Sequence, residues 1–280
     1  RAEVYYQLAS PAREVTVDIL DSTGELVRSF SSTREPWQPM RSSVGQVINN
    51  ERWGSATPVT PPSTGAGLHR FVWDLMYPPA ADFPGLRSRD ANVNGPIAPP
   101  GAYQVRVMAD GRSAMGSFDI QKDPRLVGVT REDLEAQFAL DMRVHQRTND
   151  LTSAVLQIRR IKESVDDRIQ RASDQRLSRE GTELKEHLTS VEGDLYQFRT
   201  QTDDDIKHFG HKLFDKFQHV TGVIRSDDSR PTRATYQVLD ELEPMLDAQL
   251  SRLNQILSEE LARFNRLLEE RGLPPIRVAS

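Results

Sequence analysis

The sequence predicts a multidomain chain of mixed class: an N-terminal antiparallel β-sandwich followed by an antiparallel α-helical bundle. Three observations carry this reading. Thirteen of the 17 prolines lie before residue 126. Up to about residue 120, short runs alternate apolar with polar residues, the period of a half-buried strand. Beyond it, apolar residues recur at threes and fours, the period of a helix packed along one stripe. The change falls in "KDPRLVGVT", residues 122–130, so we expect a sandwich over 1–125, a bundle over 129–272 and a tail over 273–280.

The strands follow in order. "EVYYQL" (3–8) opens the chain. "REVTVDIL" and "ELVRSF" flank "DSTG" (21–24), a hairpin turn ending in glycine. "GLHRFVWDLMYP" (67–78) places His69, Phe71, Trp73, Leu75 and Tyr77 on one face, and Pro78–Pro79 ends it. "GAYQVRVMADGRSAMGSFDI" (101–120) is a second hairpin turning at Asp110–Gly111. Two long loops, 31–64 and 78–100, are rich in proline, glycine and arginine, and loops of such length are commonly functional.

The helices begin with Thr130 as a cap, with Glu132 and Asp133 in the first turn. Leu151, Val155, Ile158, Ile161, Val165 and Ile169 form the first stripe. Leu184, Leu188, Val191, Leu195 and Phe198 form the second. "DIKHFGHKLFDKFQHVTGVIR" reads as one further helix, with Leu213, Phe217, Val220 and Ile224 as its stripe. A long last helix runs from Pro231 to Gly272 with leucine or phenylalanine at 239, 242, 246, 250, 253, 257, 261, 264 and 268. Pro244 inside it should kink it or end a short first segment. We expect the first and last long helices to pack antiparallel, with shorter ones between.

Charge and cysteine content narrow the function. Residues 1–125 hold 13 Lys and Arg against 13 Asp and Glu; the rest hold 23 against 28, and so carry the whole net charge of −5. No basic excess is available to neutralise phosphates, which argues against nucleic acid. With no cysteine there is no disulfide, thiolate metal site or cysteine nucleophile. The absence of cysteine fits either compartment, and an unstapled exported bacterial protein is a natural home for it. The sequence opens at Arg1, without Met or a signal peptide, as a mature or trimmed piece of something longer would.

Each chemical candidate has a plain structural alternative. Asp90, Asn92, Asn94 and Gly95 match the first half of a calcium loop, but Gly101 stands where its bidentate glutamate belongs and half the ligands are missing, so they read as an Asn/Gly-rich turn before a strand. His208 and His211 fall three residues apart on a helix, with Asp204 one turn earlier, and could seat zinc, but if the helix is continuous His219 is too far to complete the site, and they read as solvated histidines on a helix face. "TDDDIK" (202–207) is explained by the dipole of a helix start. Phe71 and Trp73 could stack on sugar, but on an alternating strand they read as core. Arg159 and Arg160 read as a solvated face. Trp37 and Trp53, with Arg87 and Arg89, lie in the long loops, where they either pin the loop or anchor an interface. No phosphate loop, Ser-His-Asp order or GxSxG elbow is present.

The segments "GLHRFVWDLMYP", "GPIAPPGAYQVRV" and "DIQKDPR" resemble the C-terminal region of bacterial sialidase-like (BNR-repeat) proteins, which are sortilin-like in their propeller and often labelled glycosyl hydrolases. The resemblance implies that the sandwich is Ig-like, of the flagellar hook-capping type, and that a helical segment follows it. No propeller blades and no Asp-box repeats occur here, so no glycosidase role carries over to any residue.

The expectation is therefore a non-catalytic exported binding or scaffold module. It would be an accessory subunit docking on protein partners in a larger extracytoplasmic or membrane-associated assembly, in the periplasm or cell envelope, without cofactor or metal. Two alternatives stand beside it: the accessory C-terminal region of a propeller-type hydrolase, and a carbohydrate-binding module.

Overall fold

The computed structural model describes residues 1–33, 60–81, 83–86, 94–172, 174–199 and 206–277. It is a mixed α and β chain, with small antiparallel sheets in its N-terminal part and helices after them. The chain separates into two compact units. The first comprises 1–79, 94–143 and 224–232; the second comprises 80–93, 144–223 and 233–280.

In the first unit, β1 (Ala2–Leu8) pairs antiparallel with β4 (Gly67–Trp73). A second sheet has the order β3-β2-β5-β6, from β2 (Val15–Leu20), β3 (Leu26–Ser31), β5 (Gly101–Ala109) and β6 (Arg112–Ile120). Both expected hairpins are present. Asp21 closes the first by accepting from the Thr23 and Glu25 amides, both at 2.9 Å. In the second, Asp110 and Gly111 both take positive φ, 47° and 82°, the backbone of a turn matched to strand twist. Val4 and Tyr6 from one sheet meet Val15, Val17, Ile19, Phe30, Tyr103 and Val105 from the other in a single core, with Phe71 and Trp73 inside it.

The expected strand over 67–78 stops early. β4 ends at Trp73, and Leu75 takes φ 68°. That one left-handed residue breaks the period of two. Met76, which an unbroken alternation would place on the face opposite Trp73, is buried, and its carbonyl accepts the Trp73 Nε1 proton at 3.1 Å. Residues 75–77 instead pair loosely with 96–98: Tyr77 donates to the Pro96 carbonyl and Ala98 to the Leu75 carbonyl.

α1 (Arg131–Ala172) starts where expected. The Thr130 hydroxyl accepts from the Asp133 amide, and the Asp133 carboxylate accepts from the Thr130 amide. Residues 131–143 belong to the first unit and the remainder to the second.

The second unit holds the rest of α1, α2 (Gln175–Leu195), α3 (Ile206–Phe209), most of α4 (Leu213–Ile224), α5 (Arg233–Ile256), a π-helical turn (Leu257–Leu261) and α6 (Ala262–Glu270). α2 runs antiparallel to α1, since Lys185 pairs with Asp166 and, further along α2, Glu192 pairs with Lys162. It is also antiparallel to the last helices: Asp174 pairs with Arg271, His187 with Glu260, and Ser190 with Arg252. α1 and the last helices therefore run in the same sense, with Arg147 on Asp247 and Arg168 on the Pro274 carbonyl. This corrects the expectation that they oppose one another: α2 runs antiparallel to both, so α1 and the last helices share one direction.

Gly181 permits this packing, because a Cβ there would lie 2.7 Å from Ile169, 2.9 Å from Val165 and 3.0 Å from Phe264. Phe198 is not part of the α2 stripe. The helix ends at Leu195, Phe198 is exposed, and Tyr196 is buried in its place. The last helix continues through Pro244, and its irregularity comes later, at the π turn. It stops as expected: Gly272 takes φ 70°, and Leu273 donates back to the Leu268 carbonyl.

Candidate functional site

Two places in the first unit combine shelter with unused bonding capacity. The first is a cleft of about 340 Å³ beside the start of α1. Phe138 and Leu134 of α1, with Leu75 and Ala98, make its apolar wall. At its polar end Arg225 Nε donates to Asp141 Oδ2 at 2.7 Å, and Arg225 also donates to the Asn94 carbonyl at 3.1 Å. Both side chains are under a tenth exposed. Burial raises the Asp141 carboxyl above its ordinary range, and the Arg225 charge pulls it partly back. Asp141 Oδ1 has no hydrogen-bond partner among the described residues. Gln137 donates to the Ile224 and Asp227 carbonyls, so this corner ties α1 to the 224–232 segment. The arrangement holds two chain segments together through one buried ion pair.

The second place is a trough of about 700 Å³ between β1 and β6. β6 is the last strand of its sheet, and no strand among the described residues pairs with its outer edge. Residues 112–117 are exposed on both faces. Beneath them, Val105 and Val107 of β5 and Val4, Tyr6 and Leu8 of β1 line the trough.

The sequence-predicted site residues are distributed differently. Trp37, Trp53, Arg87, Arg89, Asp90 and Asn92 lie outside the described residues, as do Asp204 and the rest of "TDDD". Asn94 supplies the carbonyl that Arg225 binds. Gly95 has a reason of its own: a Cβ there would fall 2.2 Å from the Tyr77 carbonyl oxygen and 2.5 Å from that of Pro78, so the close backbone approach requires glycine. His208 and His211 do not share a helix. α3 ends at Phe209 and Gly210 takes φ 74°, which turns the chain between them, and both histidines are exposed. No cluster of three metal-ligating side chains occurs among the described residues. No helix among them is long and apolar enough to cross a membrane.

Arg159 was read as solvated and is not. It donates to the buried Glu192 at 2.7 Å and to the Pro84 carbonyl at 2.7 Å, and its guanidinium lies 4.5 Å from the centre of the Phe83 ring. Within the second unit it thus clamps residues 83–86, the start of a predicted long loop, onto the helices. Nothing in the local sequence signals this, since its partners lie 33 and 75 residues away. The trough was legible only as its parts: the β5–β6 hairpin could be read from alternation, but which strand ends the sheet could not.

No family model, no curated protein and no solved structure matches this chain.

Proposed function

We propose that the chain is a non-catalytic docking module: an Ig-like sandwich followed by a helical bundle, acting as an accessory subunit of a larger extracytoplasmic assembly in a bacterial cell envelope. The observation that carries this reading is the β1–β6 trough, floored by valines and rimmed by polar side chains, beside a strand edge that no strand among the described residues pairs with. Exposed strand edges of this kind are normally blunted or covered, because they recruit other chains. The polar side chains sheltered in the cleft are engaged in a structural ion pair, which favours contact over chemistry as the mode of action. The resemblance of "RFVWDL" and "PPGAYQVRV" to regions that follow propellers agrees with an accessory role.

Trp37, Trp53, Arg87 and Arg89 remain the proposed loop anchors, on the ground that aromatic and arginine side chains dominate interface energies. The test is co-purification of the tagged chain from envelope extracts, with a melting curve beside it. Trp37→Ala together with Trp53→Ala is expected to release the partner while shifting the melting temperature little. Loss of stability with the partner retained would make these tryptophans loop pins. No partner for the wild-type chain would overturn the docking reading.

A further inference from the structure

Resting on the docking reading, we infer that the partner enters as an extended strand added antiparallel to β6. It would present bulky apolar side chains at alternate positions and an acidic group at its C-terminal end.

The backbone comes first. β5 and β6 pair in an unbroken register from Ala109↔Arg112 to Gly101↔Ile120. A two-residue turn makes the pair that flanks it a hydrogen-bonded one, and such pairs then alternate along the ladder. Ser113, Met115, Ser117 and Asp119 therefore point their amides and carbonyls away from β5. Among the described residues no strand takes them up. Between Arg112 and Asp119 the strand has no proline, no charge and no bulge, which are the usual protections of an edge.

Side-chain size identifies the occupant. Ala114 and Gly116 face the core side of β6, opposite Val107 and Val105. Because they are small, the trough of about 700 Å³ stays open over those valines. A second copy pairing through its own β6 would bring its small Ala114 and Gly116 to the same place, since Phe118 and Ile120 on that face are packed against its own core. Such a ladder leaves the trough over Val105 and Val107 unfilled. A strand with isoleucine, leucine or phenylalanine at every second position fills it, and its backbone meets the free amides at the same time.

Charge sets the end. Arg112 begins β6 and has no acidic partner among the described residues, whereas Asp110 beside it already accepts the Arg13 and Glu14 amides. An antiparallel occupant brings its C-terminal end to Arg112, so a glutamate or a chain-terminal carboxylate belongs there.

The test uses the full chain and two synthetic ten-residue peptides of one composition. One alternates isoleucine with threonine and ends in glutamate; the other groups the isoleucines in one block. The alternating peptide is expected to bind at least tenfold more tightly than the block isomer. It should also protect the amides of 113, 115, 117 and 119 from hydrogen exchange. Met115→Pro, which removes one outward amide without touching the β5 ladder, and Ala114→Lys, which puts a charge in the trough, should each weaken binding at least tenfold. Using both variants keeps the test decisive should either fail to fold.

Equal binding of the two peptides, protection elsewhere, or a concentration-dependent dimer abolished by Met115→Pro would overturn the inference. Co-purification of a native partner that survives both variants would overturn the inference while leaving the docking reading intact. Absence of any partner for the wild-type chain would remove both.

Discussion

Arg225 and Asp141, 84 residues apart, meet in a 2.7 Å ion pair that almost no solvent reaches. Removing one partner of a buried pair strands the other charge, at a typical cost of about 3–5 kcal/mol. Replacing both with apolar residues of similar volume is often close to neutral. Arg225→Met and Asp141→Leu are each expected to lower the urea midpoint strongly, and the double variant to recover most of the loss. Additive losses in the double variant would show that the two residues stabilise the fold independently.

The same carboxyl predicts a pH dependence. Its folded pKa is raised by burial, with Arg225 opposing, so the folded chain holds this proton more tightly than the unfolded chain. Its contribution to stability is full below the ordinary carboxylate value of about 4 and is lost as pH rises through the folded value. The stability of Asp141→Asn relative to wild type should therefore improve as pH is raised from about 4. A relative stability that worsens over that range would mean that the Arg225 charge outweighs burial.

Gly95 separates a backbone requirement from a metal loop. Gly95→Ala forces a Cβ onto two carbonyl oxygens, and a melting temperature several degrees lower is expected with or without calcium. A chelator should leave the wild-type melting temperature unchanged. A fall of several degrees on chelation would restore Asp90, Asn92 and Asn94 as ligands.

Gly181 tests the helix packing. Alanine there gains about 1 kcal/mol of helix propensity but presses on Val165, whose branched side chain has little freedom to yield. Gly181→Val is expected to cost about 2 kcal/mol or more in urea unfolding, with Gly181→Ala well below it. Equal stability of all three chains would mean that α1, α2 and α6 are not in close contact at this point.

What could be read from the sequence was local. The "DSTG" and Asp110–Gly111 turns, the Thr130 cap and the Gly272 stop depend on neighbouring residues, and each forms as expected. Two of the misreadings share one cause. Leu75 and Gly210 each take a left-handed backbone inside a pattern that otherwise continues, so the period of two and the period of 3.6 both ran on too far. Leucine gives no warning of this, and glycine gives one only in hindsight. Relationships over long separations were not legible at all: the Arg225–Asp141 pair, the Arg159 clamp and the shared direction of α1 and α5 depend on how the chain returns upon itself. Of the proposed docking surface, the alternation of β6 was visible, but its place at the end of the sheet among the described residues was set by pairings elsewhere.

The central claim is that this chain acts by contact through the β6 edge, and site-specific photo-crosslinking in the native envelope tests it most directly. A photoreactive residue would be placed at Met115 on β6 and, as a control, at Val127, which is 91% exposed but lies on neither the trough nor an edge. The account predicts a cross-link to one protein species from position 115 and none from 127. No cross-link from 115 while the chain still co-purifies with its partner, or equal cross-linking from both positions, would contradict it.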